Sequence, residues 1–512
     1  MEATRPFIAH VFLPVSNSLM RLYSSLSRSL VALLCTAGLI LVLAGCDSGG
    51  SAPVDPTAFT VTIENVGTAT PILKSGAFTP ADEATGNNNP PLTPGEAFQF
   101  SFTAGPNEVP GSGMALSFAT MFVQSNDAYY AFQPGGLSLF GDSGTPIGMN
   151  GPVDVTDQVR LYDAGTEVDQ TPGSGDNQAP RQSSLNQGPD ENGSVVRIEN
   201  TDDDDALEDS GFEYPPVADG IEVTVSSAPD DASGGIEFTV TIENVGDETN
   251  TMVNGAPIVL SPGSFAVHFD QTPAGEDVTY PGHAPGSSAS DGIERIAEDG
   301  RPAGASGVPG NHVSALADLT GVTVPLSPGA VAVHSDQVTF YETGAAASTG
   351  IERIAEDGRP DAIVSMLSGA DGVKSIMPFN TPEGADGPGP LTPGNSYTFS
   401  VEAVPGDRLS FATMHIQSND LFYAVQPGGL ALFDENDQPV GGDVTDQVML
   451  YDAGTEGDQE PGVGLDQAPR QASPDTGPSG EGRIAQVSGS DDGFDYPAPS
   501  DVLRVTITPP AQ

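Results

Sequence analysis

At 512 residues the chain has room for two or three domains with their own cores, and its 62 glycines and 46 prolines fall between short runs of Val, Ile, Thr, Phe and Tyr. The 70 acidic side chains against 16 basic ones leave a net charge of −54, which excludes the basic face that nucleic-acid phosphate requires, and two cysteines exclude a disulfide framework. The acids are scattered and lysine occurs only at Lys74 and Lys374, which favours a surface adapted to high salt over a dedicated cation store.

Residues 29–45 form an apolar run preceded by Arg21 and Arg28, which reads as an export signal rather than a structural helix. The run closes on Leu43-Ala44-Gly45-Cys46 and gives way to the small, polar Asp47–Ser51. This tetrapeptide resembles the lipobox of bacterial lipoproteins. That implies removal of residues 1–45, a lipid on Cys46, and a membrane-anchored protein of the bacterial cell envelope. An ordinary signal or a signal anchor is the other reading. Residues 46–57 offer almost nothing to bury and read as a flexible tether.

From about Ala58 the chain states its passages twice. FTVTIENVG opens at Phe59 and again at Phe238. LSFATM, QSND, QPGGL, DVTDQV and YDAGTE run from Leu116 and again from Leu409. GFEYPP with IEVTVS at Gly211–Ser226 returns as GFDYPA with LRVTIT at Gly493–Thr508. The expected organisation is therefore a shortened first domain at 58–226, a linker at 227–235 and a second domain at 236–512. Two further units, SPGSFAVH with DGIERIAEDGRP and SPGAVAVH with TGIERIAEDGRP, both fall between the second FTVTIENVG and the second LTPG. They are expected as a duplicated insert at about 257–372 of domain two.

Alternation of apolar and polar residues, as in Phe238, Val240 and Ile242 with threonines between, predicts half-buried antiparallel strands. The fold class is thus all-β, two tandem antiparallel sandwiches. Helices are expected only at about 291–300 and 349–358, where Ile351, Ile354 and Ala355 share a face and Gly358 closes the end. The second helix is given the main position and the first is expected as a looser duplicate.

Three passages of domain two resemble the spondin N-terminal domain of F-spondin and mindin. Ser348–Pro360 is similar to its "SxGxxxxAExGxP" helix, Ser410–Phe422 to its "SFxxMIxPSPDWF" strand and loop, and Tyr451–Gly457 to its "YDAGTDSG" turn. Domain one shows the last two, at Gln124–Tyr129 and Tyr162–Val168. The resemblance implies a calcium-binding sandwich with a role in adhesion. Its metal ligands carry over to Asp420 and Asp452, and to Asp127 and Asp163. Glu402 lies about one residue out of register with a third ligand, a strand glutamate.

Hard cations take several oxygens from converging loops, and each copy repeats one Asp after an apolar strand and another after Leu-Tyr. A turn-capping role for Asp127 and Asp420 is the plainer reading of those residues alone. His268 and His334 recur in equivalent strands and read as structural. Asp434–Gln438 reads as a hairpin turn, and Arg181 and Arg470 as pairing with local carboxylates. With no nucleophile elbow, zinc motif or phosphate loop, the expected function is an envelope-anchored, calcium-stabilised binding or adhesion protein, not an enzyme. Its expected ligand is an extracellular protein or polysaccharide. The alternative is an envelope hydrolase or carbohydrate-active accessory protein.

Overall fold

Phe59, Val61 and Ile63 point into one core while Thr60, Thr62 and Glu64 are only half-buried, and Phe238, Val240 and Ile242 repeat the pattern in a second core. Each such strand belongs to a small antiparallel sheet that faces a larger one. The computed structural model describes residues 55–78, 91–106, 113–198, 212–247, 252–270, 278–305, 309–487 and 493–510. The expected export signal, Cys46 and most of the expected tether lie outside them.

One small sheet runs, in hydrogen-bonded order, Ser396–Ala403, Thr57–Asn65, Leu503–Thr508 and Gly442–Asp443. The other runs Ala97–Ala104, Gly235–Glu243, Glu222–Asp230 and Val153–Asp154. The large sheets correspond in the same way. One runs Val373–Phe379, Leu326–His334, Arg408–His415, Leu421–Val425, Val448–Asp452 and Ala485–Gln486. The other runs Ile72–Phe78, Leu260–Phe269, Met114–Phe122, Ala128–Phe132, Val159–Asp163 and Val196–Ile198. The protein is two antiparallel β-sandwiches.

They are not arranged in tandem. The opening strand Thr57–Asn65 pairs with Ser396–Ala403 and with Leu503–Thr508 near the far end of the chain. The described strands and helices from Ile72 to Ala317 build an inner sandwich, set between the first and second strands of an outer one. The inner sandwich is a circular permutation of the outer: the same strands in the same sheet positions, cut at a different connection. Three expectations are corrected. The boundaries at 226 and 236 fall inside the inner sandwich. The expected linker is a hairpin, since Glu222–Asp230 pairs with Gly235–Glu243 down to Asp230 opposite Gly235. The expected insert is not an insert, because Leu260–Phe269 is a central strand of the inner sheet and Leu326–His334 of the outer.

Among the described residues each sandwich accordingly has one helix of nine residues. In Asp291–Asp299 and Thr349–Asp357, Ser290 and Ser348 accept the N–H of Ile293 and Ile351, and Gly300 and Gly358 close the helices at φ 61° and 63°. Ile293, Ile296 and Ala297 pack on Tyr129, Tyr162 and Ala266. Ile351, Ile354 and Ala355 pack on Phe422, Tyr451 and Ala332. The two helices hold equivalent places, so neither is peripheral. Because they cover the outer face of the large sheets, Met114–Phe122 is buried at every residue rather than alternately.

The sandwiches also touch. Lys74 pairs with Glu460, whose N–H donates to Ser233 O at 2.9 Å, and Val463 of the outer sandwich is buried in the inner core.

Candidate metal centre

The strands Leu421–Val425 and Val448–Asp452 run antiparallel with Leu421 opposite Asp452. Asp420, one residue before Leu421, therefore sits beside Asp452 at one end of the outer sandwich. Ala128 opposite Asp163 does the same for Asp127 in the inner one. A third carboxylate joins each pair: Asp458 with Asp420 and Asp452, and Asp169 with Asp127 and Asp163. In each trio one oxygen per residue lies within 4.8 Å of the others.

The backbone positions these groups. Asp420 is fully buried, and its Oδ2 accepts the N–H groups of Thr455 at 2.8 Å and Glu456 at 3.0 Å and the Thr455 hydroxyl at 3.2 Å. Its Oδ1 is buried with no hydrogen-bond partner among the described residues. In the inner sandwich Asp127 Oδ2 accepts Thr166 N–H and Glu167 N–H, both at 3.0 Å, and Oδ1 takes the Asn126 amide at 3.1 Å. Asp163 and Asp452 each accept from the glycine of the turn that follows, Gly165 at 2.7 Å and Gly454 at 2.5 Å. So Asp127 and Asp420 do cap a loop, with one oxygen; on Asp420 the other is left over.

Crowding raises the cost of ionisation. Burial first, then the charge of Asp127, pushes Asp163 up to about 8. Burial raises Asp127 to about 7 against the two N–H groups that favour its charge, and Asp169 to about 7 with help from Asp163. Asp420 is raised to about 6, by burial before all else. Several carboxylates that resist ionising together, one of them carrying a buried orphan oxygen, are what a hard cation relieves.

Glu402 does not take part. It is exposed on the small sheet, opposite Ala58. The third carboxylates, Asp169 and Asp458, were not expected from sequence, although both copies carry them in Y-D-A-G-T-E-x-D-Q. A further trio, Glu352, Glu356 and Asp475, lies in the outer sandwich alone among the described residues.

The remaining candidates are structural. His268 bonds Ser117 and the Phe269 carbonyl; His334 bonds Ser410 and the Ser335 carbonyl. Asp434 accepts Asn436 and Gln438 N–H groups in a hairpin turn. Arg181 and Arg470 donate to loop oxygens, those of Gly173 and Gln178, and of Gly462, Gln467 and Gln417. No family model matches the chain, and no curated protein matches it.

Proposed function

We propose that this is a calcium-stabilised binding or adhesion module, similar in design to a spondin domain and used twice, exported and held at the cell envelope by a lipid on Cys46. Asp420, Asp452 and Asp458 would hold one calcium ion and Asp127, Asp163 and Asp169 another. The observation that carries this reading is fully buried Asp420, which has an orphan Oδ1 and is one of three carboxylates that each bring an oxygen within 4.8 Å of the others. A buried unpartnered carboxylate oxygen costs several kcal/mol by rough reckoning, and a cation at that point removes the cost. Calcium rather than magnesium suits a site built of loop carboxylates, because it accepts irregular geometry and more oxygens. Paired sites at the loop ends favour ligand capture over hydrolysis, with an extracellular protein or polysaccharide as the ligand.

The test is calcium titration of the chelator-stripped chain by calorimetry. Asp420→Asn with Asp452→Asn should remove one equivalent, and Asp127→Asn with Asp163→Asn another. A stoichiometry unmoved by either pair rejects the reading.

A further inference from the structure

Both sandwiches bring the helix glutamates of GIERIAED against the YDAGTE loop, but they neutralise them differently. In the inner sandwich the Arg295 side chain is 1% exposed. Its Nη2 lies 2.9 Å from Glu294 Oε1 and 3.5 Å from Glu298 Oε2, and its Nη1 pairs with Asp299. Asn186, in a left-handed turn at φ 50°, donates its amide to Glu294 Oε1 at 2.8 Å. A guanidinium and an amide thus serve Glu294, and the same guanidinium faces Glu298 as a counter-charge, although Glu298 Oε2 makes no hydrogen bond among the described residues.

The outer sandwich has neither. Arg353 occupies the place of Arg295 in the helix, yet it turns outward, 29% exposed, and its one ion pair among the described residues is with Asp357 at 2.8 Å. Where the inner chain has Asn186, the outer has Asp475, in the same left-handed turn at φ 58°. A carboxylate cannot donate to Glu352 as the amide donates to Glu294. Glu352, Glu356 and Asp475 instead converge, one oxygen from each within 4.8 Å of the others. Glu356 is 2% exposed and its Oε2 has no hydrogen-bond partner among the described residues. Glu456, 5% exposed, leaves its own Oε2 unpartnered as well.

We propose that Glu352, Glu356 and Asp475, with Glu456 beside them, form a second divalent-cation site of the outer sandwich, where calcium takes the place that the Arg295 guanidinium fills in the inner one. This site is separate from the Asp420 trio, though one loop serves both: Thr455 and Glu456 donate their N–H groups to Asp420. Exposed Asp475 leaves the site open on one side for water, as a hard cation requires. The ion would tie the helix to the YDAGTE loop, a junction that the inner sandwich makes with a fixed charge. The chain would then bind three calcium ions, two of them in the outer sandwich.

Asp475→Asn is the decisive change, because it installs the amide that the inner sandwich already tolerates in the same turn. Calorimetric titration of stripped full-length chain should give three equivalents for wild type and two for Asp475→Asn, with Glu356→Gln giving two as well. Asp420→Asn with Asp452→Asn should lose a different equivalent and retain the one sensitive to Asp475. If Asp475→Asn and Glu356→Gln both keep the wild-type stoichiometry, the second site does not exist, whatever the Asp420 site does. If the Asp420 pair changes nothing while Asp475→Asn removes one equivalent, the function proposed above fails and this site stands.

Discussion

Asp420 and Asp452 become neighbours through a single register: Leu421 pairs with Asp452 across two antiparallel strands, and Asp420 is the residue before Leu421. The carboxylates are therefore held by the sheet, with Asp420 further fixed by the N–H groups of Thr455 and Glu456. An ion bound only by the folded state stabilises it by linkage, roughly 2.7 kcal/mol per site at a hundred times its dissociation constant. Calcium should raise the melting temperature of the stripped chain more than magnesium at matched ionic strength. Asp420→Asn with Asp452→Asn should lose part of that rise. Equal responses in variant and wild type count against the site.

Stability without calcium should fall as pH rises, the direction opposite to that set by carboxylates whose ionised form the fold favours. Asp127, Asp163 and Asp169 sit at about 7, 8 and 7 when folded, against about 4 in an unfolded chain. Between those limits the folded state holds protons that the unfolded state has released, so stability falls as pH rises from about 5 to about 8. Below about 4 both states are protonated and these groups contribute no slope. Calcium ligates the ionised forms and should flatten the fall. The general repulsion of a chain of net charge −54 acts in the same direction, but about 1 M salt screens it while leaving buried pairs largely unscreened. Melting temperatures in chelator at high salt that are level or rising over this range contradict the assignment.

The site was largely legible because its residues lie in short passages stated twice, and alternation set the strands that carry them. The nesting was not legible. Thr57–Asn65 and Gly235–Glu243 share FTVTIENVG, so local sequence cannot say which strands each joins. The short turn decides it. Asp230 accepts the N–H groups of Ser233 and Gly234, with Gly234 at φ 69°, which commits Gly235–Glu243 to Glu222–Asp230 and leaves Thr57–Asn65 for Leu503–Thr508. The Asp230 turn looked like a linker because Gly, Ser and Asp serve both purposes. Asp169 and Asp458 escaped notice for a different reason: the family resemblance directed the third ligand to a strand glutamate, and Glu402 faces solvent on the other sheet.

The nested architecture makes a prediction about fragments. Residues 68–322 contain every strand of the inner sandwich and should unfold cooperatively on their own. Residues 58–226 lack Gly235–Glu243 and Leu260–Phe269, the neighbours of four inner strands, and should not fold. In the full chain Phe59→Ala should destabilise the outer sandwich, since Phe59 is fully buried against Phe433, by about 3–5 kcal/mol. Hydrogen exchange should show the loss in 326–508 and little in 97–104. Faster exchange confined to the inner sandwich would contradict the pairing.

The proposed lipid anchor on Cys46 is tested by fractionation. With Cys46→Ser the chain should leave the membrane fraction and become soluble. Continued membrane association would reject lipidation at this residue.

The contrast between Arg295 and Asp475 can be run in reverse. Arg295→Met removes the guanidinium from Glu294, Glu298 and Asp299, and Glu298 is 2% exposed, so buried carboxylates are left without a counter-charge. A loss of about 3–5 kcal/mol is expected at neutral pH. The loss should shrink toward about pH 5, because protonated carboxyls need no counter-charge. Arg353→Met should cost less, since Gln471 still donates to Asp357 at 3.1 Å. Adding Asn186→Asp to Arg295→Met reproduces the outer arrangement in the inner sandwich: Glu294, Glu298 and a carboxylate in the left-handed turn. That double variant should bind one more calcium ion than wild type, and calcium should restore much of its stability. If it is destabilised yet gains neither binding nor calcium dependence, the guanidinium and the cation are not interchangeable there.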